Sequence, residues 1–291
     1  MTAAFLRKLL GGGQPVSPEV TAALRELARL AEEQPTLAGP CGLLAEVLPA
    51  LYDPPPTEAP PPISPSAAAA KRAEGVPLLR GETLALDESA FRRRWAAVCA
   101  ALGRQGQDAG PLARAGRGGL APCELLADVL AGRPAAVHAR AEALGLDPAL
   151  TATVLRLTLF PVLSAVSAAL GPAPAGWGRG YCPVCGSWPL LGEFRGLEQV
   201  RVLRCGLCAA GWEYPRLGCP YCGTRDHERL GFLHVEGEES QRRAATCAEC
   251  RGYVKMVATL TPLSAPGLLA ADAATLHLDL AAAVRGYAPG A

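Results

Sequence analysis

Eight of the eleven cysteines fall in four C-x-x-C pairs: Cys182 with Cys185, Cys205 with Cys208, Cys219 with Cys222 and Cys247 with Cys250. A C-x-x-C turn points two thiolates at one ion while the backbone N–H groups between them hydrogen-bond to the sulfurs. Two such turns complete a tetrahedral four-sulfur shell, so four turns predict two metal ions per chain in closed sites. The donor set does not choose the ion, because four thiolates accept either Fe or Zn.

The gaps between successive pairs are 19, 10 and 24 residues. The longer gaps each fit a short β-hairpin, and the shortest fits a link between modules. Sequential pairing follows: Cys182, Cys185, Cys205 and Cys208 hold one ion, and Cys219, Cys222, Cys247 and Cys250 the other. Interleaving would need long crossovers with few residues to make them. Strand signals agree, with Val200 and Val202 alternating up to Cys205, and Leu230–Val235 and Arg242–Thr246 flanking the turn-like Glu236-Gly237-Glu238-Glu239. Tyr253–Val257 can add a further strand. Gly186 and Gly223 each follow a C-P-x-C knuckle, where positive φ lets the backbone wrap a sulfur. Both modules therefore read as rubredoxin-like or zinc-ribbon folds. A module of roughly 40 residues is too small for a sufficient core of its own, so each is expected to be held by its metal and to unfold locally without it.

The elements that must carry these modules are helical. Of the 291 residues, 50% are hydrophobic and only 5% aromatic, with Ala, Leu and Gly abundant. Ser17-Pro18-Glu19 opens a helix with Val20, Leu24, Leu27 and Leu30 on one face, and Pro35 ends it. A second helix runs from Cys41 through Leu44, Leu48 and Leu51. Asp53 to Pro65 is a polyproline connector. Asp87 caps a helix buried along Phe91, Trp95, Val98 and Leu102, with Arg92–Arg94 facing solvent. Gly103–Gly119 is expected as a mobile loop, followed by short helices around Leu125 and Val137. Asp147-Pro148 starts an apolar helix to Leu170, kinked or divided at Pro161. Gly171–Gly180 marks the boundary to the cysteine modules. After them, Pro266-Gly267 opens one helix whose Leu269, Ala273, Leu276, Leu280 and Val284 form a docking stripe. The fold class is α+β: an N-terminal all-α domain (1–175), two tandem four-cysteine modules (176–215 and 216–262) and a C-terminal docking helix (263–291).

Charge argues about partners. Residues 181–291 hold 11 Lys+Arg and 11 Asp+Glu, leaving 17 and 16 upstream, so neither half has a pole. Nucleic-acid modules normally carry a basic excess, which counts against that use of the ribbons. Phe5–Leu10, interrupted by Arg7 and Lys8, does not read as a secretory segment, and no apolar run is long enough to predict a membrane span. The paired cysteines then read as metal ligands in a reducing cytoplasm rather than disulfides. Phosphate-loop, nucleophile-elbow, zinc-protease and dinucleotide motifs are missing. The histidines His138, His227, His234 and His277 are scattered, and Cys41, Cys99 and Cys123 sit in helical segments as small hydrophobes. No catalytic set emerges. The expected partner contacts are exposed aromatics and cations beside the knuckles, Tyr181, Trp188, Trp212, Arg216, Tyr253 and Lys255, although Trp212 and Tyr253 could equally pack around the sulfurs.

Several runs carry a family resemblance: Cys182-Pro-Val-Cys-Gly-Ser, Arg201-Val-Leu-Arg-Cys-Gly-Leu-Cys, Gly211-Trp-Glu with Arg216, Cys219-Pro-Tyr-Cys-Gly, and Thr246-Cys-Ala-Glu-Cys-Arg-Gly-Tyr-Val-Lys. With Ala270–Asp279, Gly286-Tyr287 and, upstream, Arg29–Pro35 and Pro77–Trp95, they resemble the formate dehydrogenase accessory protein family, FdhE. The Pro-rich stretch after Asp53 departs from it. The resemblance implies a cytoplasmic maturation factor for respiratory formate dehydrogenase that binds the catalytic subunit, has two rubredoxin-like metal sites and turns over no substrate. A nucleic-acid-binding zinc ribbon and a rubredoxin-like electron carrier are the alternatives.

Overall fold

The computed structural model of the chain describes residues 17–173 and 176–290; Phe5–Leu10 lies outside them. Among the described residues, eight helices precede the first knuckle: α1 Pro18–Glu33, α2 Ala38–Tyr52, α3 Pro65–Glu74, α4 Glu88–Arg104, α5 Gly110–Gly118, α6 Pro122–Leu130, α7 Pro134–Ala143 and α8 Pro148–Ala169. The predicted caps form, with Ser17 Oγ accepting from Val20 N at 3.3 Å, Asp87 Oδ1 from Ala90 N at 3.0 Å and Asp147 Oδ1 from Leu150 N at 2.6 Å. α8 runs unbroken through Pro161. By length and composition it could cross a membrane, yet most of it is buried in this fold, where it packs on α4 and α7.

Two expectations change in the helical layer. Only Arg93 of the arginine run faces solvent. Arg94 is buried and donates from Nε to Leu51 O at 2.9 Å and from Nη2 to Pro54 O at 3.1 Å, closing the end of α2 where helical carbonyls lack partners. Arg92 reaches Gly116 O at 2.8 Å and Leu120 O at 3.2 Å. The second change is Gly103–Gly119, which contains α5 rather than a mobile loop. Trp95 explains this, since its Nε1 donates to Leu112 O at 2.9 Å and its ring lies against Gly116.

The cysteine region builds one sheet, not two separate ribbons. Its strands are β1 Pro189–Arg195, β2 Val200–Cys205, β3 Gly211–Glu213, β4 Leu230–Leu233, β5 Arg242–Cys247, β6 Gly252–Thr259 and the short β7 Ala288–Pro289. The order is β3-β2-β1-β6-β5-β4, with β7 on β6. Within each module the strands are antiparallel; the modules join where β1 and β6 run parallel, from Leu191 opposite Lys255 to Arg195 opposite Thr259. Glu193 sits at this seam, fully buried. It accepts from the Arg204 guanidinium, from Arg195 Nε at 3.0 Å, from Thr259 Oγ1 at 3.1 Å and from Leu263 N at 3.3 Å. Removing one member of such a buried pair typically costs about 3–5 kcal/mol, because the other charge is stranded. Arg201 likewise donates to Pro215 O at 3.0 Å and Gly218 O at 2.8 Å, holding the inter-module link, and burial pulls its pKa down to about 10.

A continuous hydrophobic core runs from α1, α2, α4 and α8 through Leu191, Leu203 and Met256 to Leu268 and Leu269, crossing from the helical layer onto the sheet at the seam of the two modules. The C-terminal helix is broken in two at Thr275, giving α9 Ala265–Ala274 and α10 Leu276–Val284. α9 docks on α1 and α2, while α10 turns onto β4, β5 and β6. The single stripe is therefore split: Leu269 and Ala273 are buried, but Leu280 and Val284 are 71% and 87% exposed.

A Cβ at Gly116 would lie 2.4 Å from Trp95 Cδ1, whereas one at Gly118 meets nothing within 4 Å. Gly116→Ala is therefore expected to destabilise by ~1–3 kcal/mol, from overpacking a fixed indole, while Gly118→Ala should be neutral or slightly stabilising. Urea unfolding of the two variants checks this; equal midpoints would show that Trp95 yields freely.

Candidate metal centres

Each cysteine quartet is assembled by the same device. A knuckle ahead of the first strand of a hairpin and a second knuckle after its return strand are brought face to face by strand pairing, β1 with β2 in the first module and β4 with β5 in the second. Gly186 and Gly223 adopt φ of 82° and 76°, as their positions after C-P-x-C require, and Gly186 N and Gly223 N each close their knuckle onto Cys182 O and Cys219 O at 3.0 Å.

The sulfurs group as Cys182, Cys185, Cys205, Cys208 and as Cys219, Cys222, Cys247, Cys250, with all four ligand atoms of each group within 4.8 Å of one another. Sulfurs of facing knuckles lie close: Cys182 to Cys208 at 3.6 Å, Cys185 to Cys205 at 3.4 Å, Cys219 to Cys250 at 3.6 Å and Cys222 to Cys247 at 3.7 Å. A metal–sulfur bond of ~2.3 Å in a regular tetrahedron places sulfurs about 3.8 Å apart, so both quartets fit one tetrahedral ion. Disulfides at about 2 Å do not describe these distances. Backbone donors complete the first group, with Val184 N to Cys182 Sγ and Leu207 N to Cys205 Sγ both at 3.3 Å.

Electrostatics point the same way. The sulfurs of the first group are fully buried and cannot all ionise by themselves. Sulfur hydrogen bonds with Cys182, Cys205 and Cys208 hold the Cys185 thiol well above its usual pKa. Burial would also raise Cys205, but hydrogen bonds from Cys182, Cys185, Cys208 and Leu207 N outweigh it and bring that thiol well below. The Cys205 thiolate is thus favoured over Cys185 and Cys208, and a divalent cation is what would let all four sulfurs bind as thiolates together.

The two groups differ in access. All four cysteines of the first are buried and belong to the main hydrophobic core, whereas Cys222 and Cys250 of the second are exposed. The aromatics Trp177, Tyr181, Trp188 and Tyr221 connect the groups edge to edge, at centroid separations of 5.7, 6.1 and 5.4 Å.

The expected partner contacts divide. Arg216 is exposed and stacks over Phe194, and Tyr181 and Trp188 are half-buried. Trp212, Tyr253 and Lys255 are not surface residues, being 2%, 6% and 4% exposed. Trp212 Nε1 donates to Arg179 O at 3.0 Å, pinning the chain entering the first knuckle. Lys255 Nζ reaches Asp272 Oδ1 at 2.6 Å and Asp279 Oδ2 at 2.7 Å, and Tyr253 OH donates to Asp279 Oδ1 at 2.7 Å, so both clamp α9 and α10 onto β6. A cation two residues from a tyrosine on a predicted strand, with acids spaced along the helix that follows, was the available signal for this clamp. His234 stands outside the sulfur groups, 3.5 Å from Glu239. Cys41 and Cys99 are buried in α2 and α4, as their helical positions suggested.

Residues 217–291 match the family described as FdhE, C-terminal domain. The chain is 43% identical over 110 residues to the protein FdhE homolog of Stutzerimonas stutzeri (strain A1501), covering 36% of this chain and 35% of that protein. Its likeness to the protein FdhE homolog of Aquifex aeolicus (strain VF5) is 33% over 115 residues, 38% of this chain and 40% of the relative. These sequence matches thus span little more than a third of the relatives' length. The crystal structure of the FdhE protein from Pseudomonas aeruginosa superposes over 95% of both chains with a TM-score of 0.58 at 28% identity.

Different access should give different behaviour. With both groups loaded with zinc, gradual acidification or a chelator is expected to release one ion per chain first, from Cys219, Cys222, Cys247 and Cys250, because protons and chelator reach the exposed Cys222 and Cys250 directly. Native mass spectrometry of Cys247→Ser/Cys250→Ser should then show a single ion that resists the same treatment. That variant should keep its helical circular dichroism and cooperative melt, whereas Cys182→Ser/Cys185→Ser should destabilise the whole chain. A structural zinc shell contributes on the order of 10 kcal/mol, comparable with the stability of an entire domain. Equal effects of the two double variants would contradict the asymmetry.

Proposed function

We propose that the chain is a member of the FdhE family and a cytoplasmic accessory protein required for formate dehydrogenase activity, binding the catalytic subunit rather than turning over a substrate. In this reading each cysteine quartet holds one Fe or Zn ion, with Cys182, Cys185, Cys205 and Cys208 as ligands of the inner ion and Cys219, Cys222, Cys247 and Cys250 of the outer one. The observation that carries the proposal is the pair of closed four-sulfur groups inside an architecture shared along almost the whole chain with the FdhE protein of Pseudomonas aeruginosa.

The supporting chemistry is that of a binding protein. A four-thiolate shell leaves no coordination position for a substrate, unlike a catalytic zinc site with three protein ligands and water. The inner group stiffens the platform and the outer group lies at its surface. Arg216, Trp188 and Tyr181 are the surface contacts proposed for the catalytic subunit, being the residue types that dominate interface energies. Trp212, Tyr253 and Lys255 would act by holding that surface in shape. The exposed sulfurs of Cys222 and Cys250 favour one second reading, electron transfer through an iron-loaded outer site.

The test is genetic and biochemical. In a host lacking its own copy, the intact gene should restore respiratory formate dehydrogenase activity and co-purify the catalytic subunit, and the Cys247→Ser/Cys250→Ser variant, though folded, should do neither. Complementation by zinc-loaded protein with no visible absorption would exclude the electron-transfer reading. Full complementation by the double variant would remove the outer site from the function.

A further inference from the structure

A cavity of about 480 Å³ lies between helices α6, α7 and α8 and the first knuckle. Its wall is mainly apolar, formed by Val129, Val137 and Leu155 from the helices and by Leu207 and Trp188 from the cysteine module. Its cations are arginines: Arg80, Arg133 and Arg156 all line it, with His138 beside them. No carboxylate does so among the described residues.

The charges are incompletely matched. Arg133 pairs with Asp128 at 2.7 Å, and Arg140 with Asp128 at 2.7 Å and Glu124 at 2.5 Å, so those two guanidiniums are matched by two carboxylates and the unmatched cations are Arg80 and Arg156. Neither Arg80 nor Arg156 has an acidic partner among the described residues. Arg80 donates from Nη1 to Ala131 O at 2.6 Å, and its Nε is shut away from solvent with no hydrogen-bond partner. Its guanidinium lies close to Gly132 and to Gly186, the knuckle glycine, and a Cβ at either position would come within 3 Å of it. Arg156 makes one long contact, 3.4 Å from Nη1 to Gly206 O in the facing knuckle. α7 starts at the cavity rim with Pro134 and has no side-chain cap, so its positive end adds to the same field. Cationic groups around a part-enclosed apolar space are a poor arrangement for stability alone, since two unneutralised guanidiniums repel and gain nothing from the surrounding methyl groups.

We propose that this cavity is a binding site for a small amphipathic anion, an apolar or aromatic body carrying a carboxylate or phosphate, with the head group held by Arg80 and Arg156 and the body against Val137, Leu155 and Trp188. The volume suits a ligand of one or two rings. Cys185 and Gly186 form part of the wall, so the occupant touches the inner metal knuckle directly. Trp188 also meets Tyr221 of the outer knuckle edge-on at 5.4 Å, which gives occupancy a route to the second sulfur group.

Full-length, metal-loaded protein can be titrated with phenyl phosphate, phenylacetate, phenol and inorganic phosphate, reading tryptophan emission, with Trp188→Phe to assign the signal. A charged hydrogen bond contributes about 1.5–3 kcal/mol, so at least one of the two aryl anions should bind roughly tenfold or more tighter than phenol. It should also bind more tightly than inorganic phosphate, and the stronger of the two identifies the head group. Arg156→Gln, with circular dichroism and metal content unchanged, should weaken the anion about tenfold and leave phenol unaffected. Ala152→Phe, which fills the cavity from α8, should abolish the response to both. Phenol or inorganic phosphate binding as tightly as the aryl anions, full affinity in folded Arg156→Gln, or no saturable response at millimolar ligand would each overturn the proposal.

Discussion

The structure depends on a crowding of sulfur. Four cysteine Sγ atoms within 4.8 Å, in a region shut off from water, cannot share that space as independent thiolates. Hydrogen bonding among them favours ionisation at Cys205 and opposes it at Cys185, while at Cys208 burial, followed by the bond with Cys182, opposes it. A divalent ion replaces this competition with four equivalent attractions. The hairpin geometry, the knuckle glycines and the N–H donors on sulfur all serve to present the four atoms at the edge length an ion needs. Strand pairing is thus coupled to ligation: the register of β1 on β2 places Pro189 opposite Cys205 and so sets one knuckle over the other.

From that centre the architecture spreads outward in two directions. One is the parallel seam of β1 and β6, which makes two modules into one sheet and puts Glu193 in its interior. A buried carboxylate is tolerated there because Arg204, Arg195, Thr259 and the Leu263 amide satisfy both of its oxygens. Arg204 continues the network to Ala209 O at 3.0 Å and Leu263 O at 2.9 Å, so one ion pair connects the inner knuckle, the seam and the turn into α9. The other direction is the hydrophobic core, which takes the inner sulfurs and the helices into a single packed body. Leu78 N and Leu79 N donate to Pro183 O at 2.9 Å and Val184 O at 2.8 Å, a backbone connection from the helical layer into the knuckle itself.

Much of this was legible in the sequence, for reasons that differ by element. The sulfur groups could be read because C-x-x-C chemistry is local and the gaps permit one economical pairing. Helix starts at Ser17, Asp87 and Asp147 could be read because a cap followed by proline or acid is a local signal. What escaped depends on distant partners. Arg94 looked solvent-facing because a charge in a helix normally is; the carbonyls of Leu51 and Pro54 that bury it lie about forty residues upstream. The glycines of 103–119 suggested a mobile loop, yet Gly116 is there because Trp95 leaves no room for a side chain. Tyr253 and Lys255 looked like interface residues because only the fold brings Asp272 and Asp279 beside them. The parallel seam carries no sequence mark, since strands buried on both sides read alike whichever neighbour they take. The Arg-lined cavity was equally hidden, assembled from residues spread between 80 and 207.

The inequality of the two sulfur groups follows from where each sits in this scheme. The inner group has the helical layer on one side and the seam on the other, so its ion would be a structural constant that stays as long as the chain is folded. The outer group is bordered by β4 at the sheet edge, by α10 and by solvent, and the small cluster of Ala244, Tyr253, Leu278 and Ala282 is the core beneath it. Its environment rests on the clamp of Lys255 and Tyr253 to Asp279 more than on bulk packing. A polar clamp over a small core opens at lower free energy than a packed interior does. Two chemically identical ligand sets on one sheet therefore acquire different accessibility from their surroundings alone, the inner one enclosed by the core and the outer one open to solvent at Cys222 and Cys250.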